Sequence, residues 1–430
     1  MIAEIDEIVK TVVGEQDPGM AVAVIKNGQL AHGKGYGLAN LEWNIAAQPD
    51  TVFGLASLTK QFTAAAILLL ERQGLLRLND PLTHFLPNYP THGRTITVAH
   101  LLTHTSGIVP YNEVDNFFDL YMRKRFSHEE VLALFQDLPL EFEPGTRYKY
   151  NNSGYYLLGM IIEILSSKRY EQFLQEQIFT PVGMKDTYYM WNEALIPRRA
   201  GGYVKTEQGY RIVPYLDMTI PFAGGALGST LTDLVRWDAA LEQGQVLSKQ
   251  MLKRMYTPAQ LVDGTTTEYG FGWGVGDYRG HRVVYHQGEI NGFITFLARF
   301  LDDAVTVVLL SNANGRDIDP LFRRIVREVL TIAPLNQEGF PLDPDARKRM
   351  TGTYTLGKLF KCAVEQTEHQ MILHPFNVEL LPIEEMVCCF AHDHEIEVRF
   401  SDPQDHAFGT LTLHFPFSPL TLMRQKDDPA

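Results

Sequence analysis

The 430-residue sequence predicts an α+β fold, in which helices flank an antiparallel sheet, followed by a small β-barrel. Strand-like segments near the start of the chain and again at residues 281–312 enclose a long, mainly helical stretch. Beyond residue 350 the pattern changes to about eight short β-like segments separated by turns. Separate runs of strands and helices are typical of α+β domains, and evenly spaced short strands are typical of small barrels.

The opening segments predict a hairpin followed by a strong helix. Two segments, residues 20–26 and 29–40, are separated by Asn27-Gly28, a dipeptide that strongly favours a two-residue hairpin turn. Residues 56–73 are rich in Ala and Leu, contain neither Gly nor Pro, and stop at Gly74. That composition predicts a helix with a glycine stop signal.

The next stretch, at about residues 75–245, predicts an all-helical lobe inserted into the first domain. Its helical segments are broken by loops that contain Pro and Gly. Strand-like segments return at 281–312, and a helical segment follows at 319–330. Because the strands on either side of the insert can join in one sheet, we predict a first domain over residues 1–332.

A polar stretch separates this domain from the end of the chain. Residues 333–345 contain three prolines and several polar side chains, which favours a linker. The β-like segments follow it, so we predict a C-terminal β-barrel domain over residues 346–430.

Charge and hydropathy exclude two classes of partner. The formal net charge is −13 and there is no run of basic residues, whereas a nucleic-acid surface needs clustered Lys and Arg. The longest wholly apolar stretch, Ala64–Leu70, is far short of the roughly 20 residues that span a bilayer. The acidic N-terminus is unlike a signal peptide, and all three cysteines follow residue 361. We therefore expect no nucleic-acid or membrane partner and a cytoplasmic location.

Ser57 and Lys60 stand three residues apart at the start of the predicted helix, where side chains at i and i+3 share a face. A serine hydroxyl is a weak nucleophile until a base takes its proton, and lysine can be that base when burial lowers its pKa. The apolar run behind Lys60 would provide that burial. An isolated Ser-x-x-Lys is more often a helix cap followed by a surface lysine, so other motifs must decide between the two readings.

Two further motifs supply groups that acyl transfer requires. Tyr150-Asn151-Asn152 directly precedes a helical segment, and His286-Gln287-Gly288 ends the first returning strand. His286 can carry a proton, and Gly288 permits close approach of the backbone. His100 and His104 are spaced i, i+4, but we favour a packing or capping role for them over a metal site. We expect no metal and no cofactor.

In this order, Ser57-x-x-Lys60, Tyr150-x-Asn152 and His286-x-Gly288 resemble the serine β-lactamase and penicillin-binding-protein superfamily. The likeness is to class C β-lactamases, D-alanyl-D-alanine carboxypeptidases, D-aminopeptidases and related esterases. It implies a β-lactamase/transpeptidase-like fold for residues 1–332. Some relatives append a lipocalin-like barrel, which the C-terminal segments resemble in architecture.

The resemblance also implies a role for each motif residue. Ser57 would be the acylated nucleophile, Lys60 its activating partner and Tyr150 the proton shuttle to the leaving group. Asn152 would orient Lys60 and bind the substrate amide. The backbone N–H groups of Ser57 and of Glu289, the residue after Gly288, would form the oxyanion hole.

One position departs from many β-lactamases, because His286 stands where they carry lysine. A group that can be neutral at pH 7 replaces a fixed cation that would hold a substrate carboxylate. We therefore predict a serine hydrolase acting through a Ser57 acyl-enzyme, best matched by a peptidase for small peptides or amides containing D-amino acids. A carboxylesterase and a slowly deacylating acyl sensor remain alternatives, and self-association into a homo-oligomer is left open.

Overall fold

The computed structural model describes residues 2–316, 318–333, 342–356, 360–367, 370–384, 386–390, 393–404, 407–415 and 418–424. The chain divides into two compact units, Met1–Ile332 and Ala333–Ala430.

A six-stranded antiparallel sheet forms the centre of the first unit. Its strands, in spatial order, are Gly274–Tyr278, His281–Ile290, Phe293–Phe300, Val305–Ser311, Met20–Lys26 and Gln29–Tyr36. The N-terminal hairpin joins the returning strands through the pairing of Met20 with Ser311. The two ends of the unit therefore meet in one sheet, as the sequence predicted.

Helices cover both faces of this sheet, which explains why Met20–Lys26 reads as a continuous apolar run. Successive residues of a strand point to opposite faces. Phe296 stacks on Phe322 of the helix Asp319–Leu330, with ring centroids 4.1 Å apart. Its neighbour Leu297 points to the opposite face of the sheet and belongs, with Trp237, to the hydrophobic core on that side.

Most helices of the first unit lie in the region predicted as a helical lobe. Helices of the first unit are Ile2–Lys10, Thr59–Arg72, Val98–Leu102, Phe117–Leu120, His128–Leu132, Asn152–Ser166, Tyr170–Leu174, Thr180–Val182, Phe222–Gly225, Leu231–Gln243, Lys249–Met255 and Asp319–Leu330. Single turns of 3-10 helix occur at Ala56–Leu58, Leu82–His84 and Tyr111–Glu113, and a π-helical turn occurs at Gln175–Phe179.

Helices are the main regular elements of residues 75–245, but loops connect them and four short strands occur among them, which the prediction of an all-helical lobe did not include. These are Tyr188–Tyr189, Tyr203–Thr206, Gly209–Ile212 and Leu227–Ser229. Leu227–Ser229 pairs with Phe53–Gly54, just before Ser57, and Tyr203–Thr206 pairs with Ala313–Asn314. Gly209–Ile212 forms a short hairpin with Tyr203–Thr206. Runs of two to four residues are too short to leave a periodic signal. A further small pair is Leu38–Asn40 with Ile45–Ala46.

The second unit contains a closed antiparallel barrel of eight strands within its described residues. Their bounds are Gly352–Leu356, Phe360–Gln366, Met371–His374, Val378–Glu384, Val387–Phe390, Asp393–Gln404, Ala407–Phe415 and Ser418–Arg424. Pairing of Tyr354 with Arg424 closes the barrel. The core contains Cys362, Cys388 and Leu411, and the predicted barrel fold is confirmed.

Most of the predicted linker, residues 334–341, lies outside the described residues. Its last two residues, Pro344 and Asp345, instead begin the helix Pro344–Met350. The Asp343 side chain caps this helix by accepting a hydrogen bond from the Asp345 backbone N–H at 2.8 Å, and proline suits the first helical position.

In the described part of the chain, no helix is both long enough and apolar enough to cross a membrane. The cytoplasmic location stays a prediction.

Candidate active site

The helix Thr59–Arg72 begins directly after a 3-10 turn that contains Ser57. All residues from Thr59 to Leu70 are buried, so the helix runs through the interior, as its composition predicted. The residue before the serine, Ala56, has a φ of 50°, which is unusual for a residue other than glycine. Such backbone strain occurs most often at functional sites. Ser57 itself is half-buried, so its hydroxyl is presented at the edge of the core.

The Lys60 side chain is fully buried, and its amine contacts three oxygen atoms. Nζ lies 2.8 Å from Asn152 Oδ1, 2.8 Å from the Gly224 carbonyl oxygen and 3.1 Å from Ser57 Oγ. Burial holds the pKa of Lys60 well below its usual value, which favours the neutral amine. A neutral amine has two N–H groups, and both carbonyl oxygens can only accept. The nitrogen lone pair is then directed at Ser57 Oγ, whose hydroxyl can donate to it.

Tyr150 and Asn152 reach the lysine from the start of a second helix, Asn152–Ser166. The Asn151 side chain caps this helix by accepting a hydrogen bond from Gly154 N at 3.1 Å, which leaves Tyr150 just outside the first turn. The Tyr150 ring centroid lies 4.8 Å from Lys60 Nζ. Its hydroxyl oxygen is buried and has no hydrogen-bond partner in the part of the chain that the structure describes. Burial raises the pKa of this phenol, and the nearby Ser57 side chain partly offsets the rise.

His286 lies beside this group, and hydrogen bonds at both ring nitrogens hold it in place. Its Nδ1–H donates to the Gln287 carbonyl oxygen at 2.6 Å, so Nε2 accepts from the Tyr269 hydroxyl at 2.8 Å. Burial and the nearby Lys60 amine lower the pKa of His286 to about 3. The histidine is therefore neutral at physiological pH, one of the two charge states that the sequence left open. The lost hydration of a buried imidazolium is the physical reason.

Gly288 brings the sheet against the serine. A Cβ atom built at Gly288 would lie 2.6 Å from the Leu55 carbonyl oxygen and 2.9 Å from Ser57 N. The strand and the Ser57 turn are thus closer together than any larger residue would allow. The backbone at Glu289, one residue further on, borders the same turn.

Ser57 opens into a cavity of about 390 Å³. Its described lining includes the predicted site residues Ser57, Asn152 and Glu289, whereas Tyr150 and His286 do not line it. Apolar side chains make up much of the remaining wall: Tyr111, Phe117, Met122, Leu216, Ile220, Pro221 and Ile290. The cavity can thus hold a small, partly apolar acyl group next to the serine.

Two groups in the site were missed by sequence reasoning. The Gly224 carbonyl holds Lys60, and Tyr269 holds His286, although neither forms a recognisable motif with its partner. His104 packs its ring 4.4 Å from that of Tyr150 and accepts a hydrogen bond from Asn151 N at 3.0 Å. The expected packing role of His104 agrees with these contacts, and His100 forms a capping box with Thr97.

The fold and this arrangement of a serine, a buried lysine and a tyrosine define a serine hydrolase. The chain belongs to the beta-lactamase family, since the family model described as Beta-lactamase matches residues 5–330.

Two curated relatives extend this assignment. The chain is 29% identical over 414 residues to penicillin-binding protein 4* of Bacillus subtilis (strain 168), with 90% of each chain covered. It is 28% identical over 299 residues to a D-aminopeptidase of Gluconobacter oxydans (strain 621H), covering 69% of this chain and 56% of the relative. The second alignment therefore spans little more than half of the D-aminopeptidase.

Two solved structures are similar along most or all of the first unit. The octameric penicillin-binding protein homologue from Pyrococcus abyssi matches with a TM-score of 0.69 at 25% identity, covering 98% of this chain and 99% of that one. D-amino acid amidase from Ochrobactrum anthropi SV3, complexed with D-phenylalanine, matches with a TM-score of 0.65 at 26% identity. That match covers 76% of this chain and 95% of the amidase.

Proposed function

We propose that the protein hydrolyses amides of D-amino acids, including short peptides, through an acyl-enzyme on Ser57. The observation that carries this proposal is the environment of Lys60. In the neutral amine that burial favours, the two N–H groups donate to Asn152 Oδ1 and the Gly224 carbonyl, which leaves the lone pair for Ser57 Oγ, 3.1 Å away. That is the geometry of a general base poised to activate a serine.

In the proposed reaction, Lys60 takes the Ser57 proton as Oγ attacks the amide carbonyl. The oxyanion that forms is placed where the N–H groups of Ser57 and Glu289 can donate to it. Tyr150, whose buried hydroxyl oxygen lies beside Ser57, passes a proton to the departing amine. Water then attacks the ester on Ser57 by the reverse path, releasing the acid and regenerating the serine.

The preference for D-amino acids is supported by the relatives. One similar protein is a D-aminopeptidase and one similar structure is a D-amino acid amidase. Because His286 is neutral, it cannot provide the fixed cation that lysine provides in many β-lactamases. This supports an amidase over a β-lactamase.

The test is steady-state hydrolysis of D- and L-alanine p-nitroanilide and of p-nitrophenyl butyrate by the wild type and Ser57→Ala. We expect turnover of the D-anilide to exceed that of the L-anilide and to vanish in the variant. Serine-dependent turnover of the ester alone would replace the proposal by a carboxylesterase. A single acylation without turnover would replace it by an acyl sensor.

Assembly is a separate part of the proposal. Since the Pyrococcus abyssi homologue is described as octameric, we expect this chain to self-associate. Light scattering coupled to size-exclusion chromatography measures the mass directly, and a monomer at micromolar concentration would contradict the expectation.

A further inference from the structure

We propose that the Glu289 side chain binds the free α-ammonium group of the substrate and thereby selects unblocked amino-acid amides and peptides. This inference rests on the proposed amide hydrolysis and adds the chemical class of the substrate. It assigns a specificity role to the side chain, separate from the backbone N–H of the same residue.

Position is the first argument. Glu289 follows Gly288, the residue that abuts Ser57 N, and is one of the residues that line the cavity that Ser57 opens into. In an amino-acid amide, the α-nitrogen lies only about 2.5 Å from the carbonyl carbon, a distance set by two bond lengths and the angle between them. A carbonyl held against Ser57 therefore brings its α-nitrogen into the neighbourhood of this carboxylate.

Orientation is the second argument. Asn314, which also lines the cavity, donates its Nδ2–H to Glu289 Oε1 at 3.1 Å. The Asn314 amide is itself held by Gly292 N, which donates to its Oδ1. An ionised carboxylate has about four acceptor positions, and Asn314 occupies one of them. The carboxylate is thus held at the cavity wall with capacity for an ammonium donor.

Charge is the third argument. Among the described residues that line the cavity, Glu289 is the only one with a charged side chain. The rest of the described lining is apolar or neutral, so nothing there offsets the negative charge. An ammonium group is attracted to such a site, whereas a substrate carboxylate is repelled.

The test compares three anilides of D-alanine: one with a free amine, one N-acetylated and one N-succinylated. The proteins are the wild type, Glu289→Gln and, as a matched control, Glu207→Gln, which removes an exposed carboxylate outside the cavity. Glutamine keeps the side-chain length, an acceptor for Asn314 and the backbone N–H.

We expect Glu289→Gln to lower kcat/KM for the free-amine anilide about tenfold, because a hydrogen bond to a charged group is worth roughly that factor. The change should lie mainly in KM, and kcat/KM for the acetylated anilide should stay within about twofold. The kcat/KM for the succinylated anilide should rise in Glu289→Gln, because its carboxylate is no longer repelled by Glu289. The wild-type preference for the free amine should weaken as salt is raised, since an exposed ion pair is screened. Glu207→Gln should match the wild type on all three.

The proposal would be overturned if Glu289→Gln lowered kcat/KM equally for all three anilides. It would also be overturned if kcat/KM for the free-amine anilide did not change. To separate this outcome from failure of the amidase proposal, the same proteins are compared on the methyl esters of D-alanine and N-acetyl-D-alanine. A higher kcat/KM for the free-amine ester than for the acetylated ester, lost in Glu289→Gln, supports the inference even if no anilide is cleaved. Equal kcat/KM values for the free and acetylated forms, of both the anilides and the esters, refute it.

Discussion

Replacement of Gly288 by alanine should disable the site without unfolding the protein. The added Cβ would lie 2.5 Å from Thr295 Oγ1, 2.6 Å from the Leu55 carbonyl oxygen and 2.9 Å from Ser57 N. Two of these neighbours are backbone atoms of the segment that carries the nucleophile. The Leu55 carbonyl is also tied to the strand Phe293–Phe300, because Thr295 Oγ1 donates a hydrogen bond to it at 2.9 Å.

The size of the effect follows from these distances. Ordinary contact begins at 3.4 Å, so the Leu55 carbonyl must retreat by about 0.8 Å, the difference between 3.4 and 2.6 Å. A displacement of about 1 Å can cost about 100-fold in rate, and loss of one oxyanion donor costs about 100- to 1,000-fold. We therefore expect the acylation rate to fall at least about 100-fold, with a stability loss of about 1–3 kcal/mol from overpacking.

The assay is the rate of Ser57 acylation, followed by intact-mass spectrometry with a D-alanine ester and by anilide turnover. Circular dichroism and thermal unfolding report whether each variant is folded. Gly276→Ala is the matched control, since its added Cβ would meet only a Tyr285 ring carbon at 3.8 Å, an ordinary contact. It should acylate like the wild type. A folded Gly288→Ala variant that acylates within about threefold of the wild type would refute the assigned role of this close approach.

Three further predictions concern titratable groups. Lys60→Ala should lower the acylation rate about 100- to 10,000-fold, because it removes the base. The wild-type acylation rate should decline as pH falls through the lowered pKa of Lys60. Unchanged single-turnover kinetics in a folded Lys60→Ala variant would contradict this assignment. Because burial lowers the pKa of His286 from 6.5 to about 3, the unfolded chain binds more protons than the folded chain between those values, so stability falls as pH drops below 6.5. The melting temperature of His286→Gln should therefore depend less on pH from 6.5 to 4 than that of the wild type, and parallel curves would argue against it. Cys362, Cys388 and Cys389 are buried, and burial raises the pKa of the Cys388 thiol to about 12, so Ellman's reagent should find no fast-reacting thiol until denaturant unfolds the barrel. Rapid modification of the native protein would be the opposite result.

Much of the fold was predictable because it depends on local patterns. The Asn27-Gly28 turn, the glycine stop after the helix Thr59–Arg72 and the alternating segments of the barrel are all set by nearby residues. The short strands within 75–245 were not predicted, because three of them pair with distant segments and the fourth, Gly209–Ile212, forms only a short hairpin with Tyr203–Thr206. The sequence pattern assigned Pro344 to the linker, whereas it begins the helix Pro344–Met350, because that helix depends on a cap by a single residue, Asp343.

The sequence by itself determined that Ser57 and Lys60 are neighbours, because side chains three residues apart in a helical segment lie on the same face, and this holds across the 3-10 turn and the helix that follows it. It also singled out the segments that carry Asn152 and Gly288. Tertiary structure alone decided the chemistry of these groups. The pKa of Lys60 is lowered by burial, because residues 92 and 164 positions away, Asn152 and Gly224, close around its amine. Desolvation depends on the packing of the whole domain, so no local pattern could reveal the charge state of Lys60 or of the buried histidine.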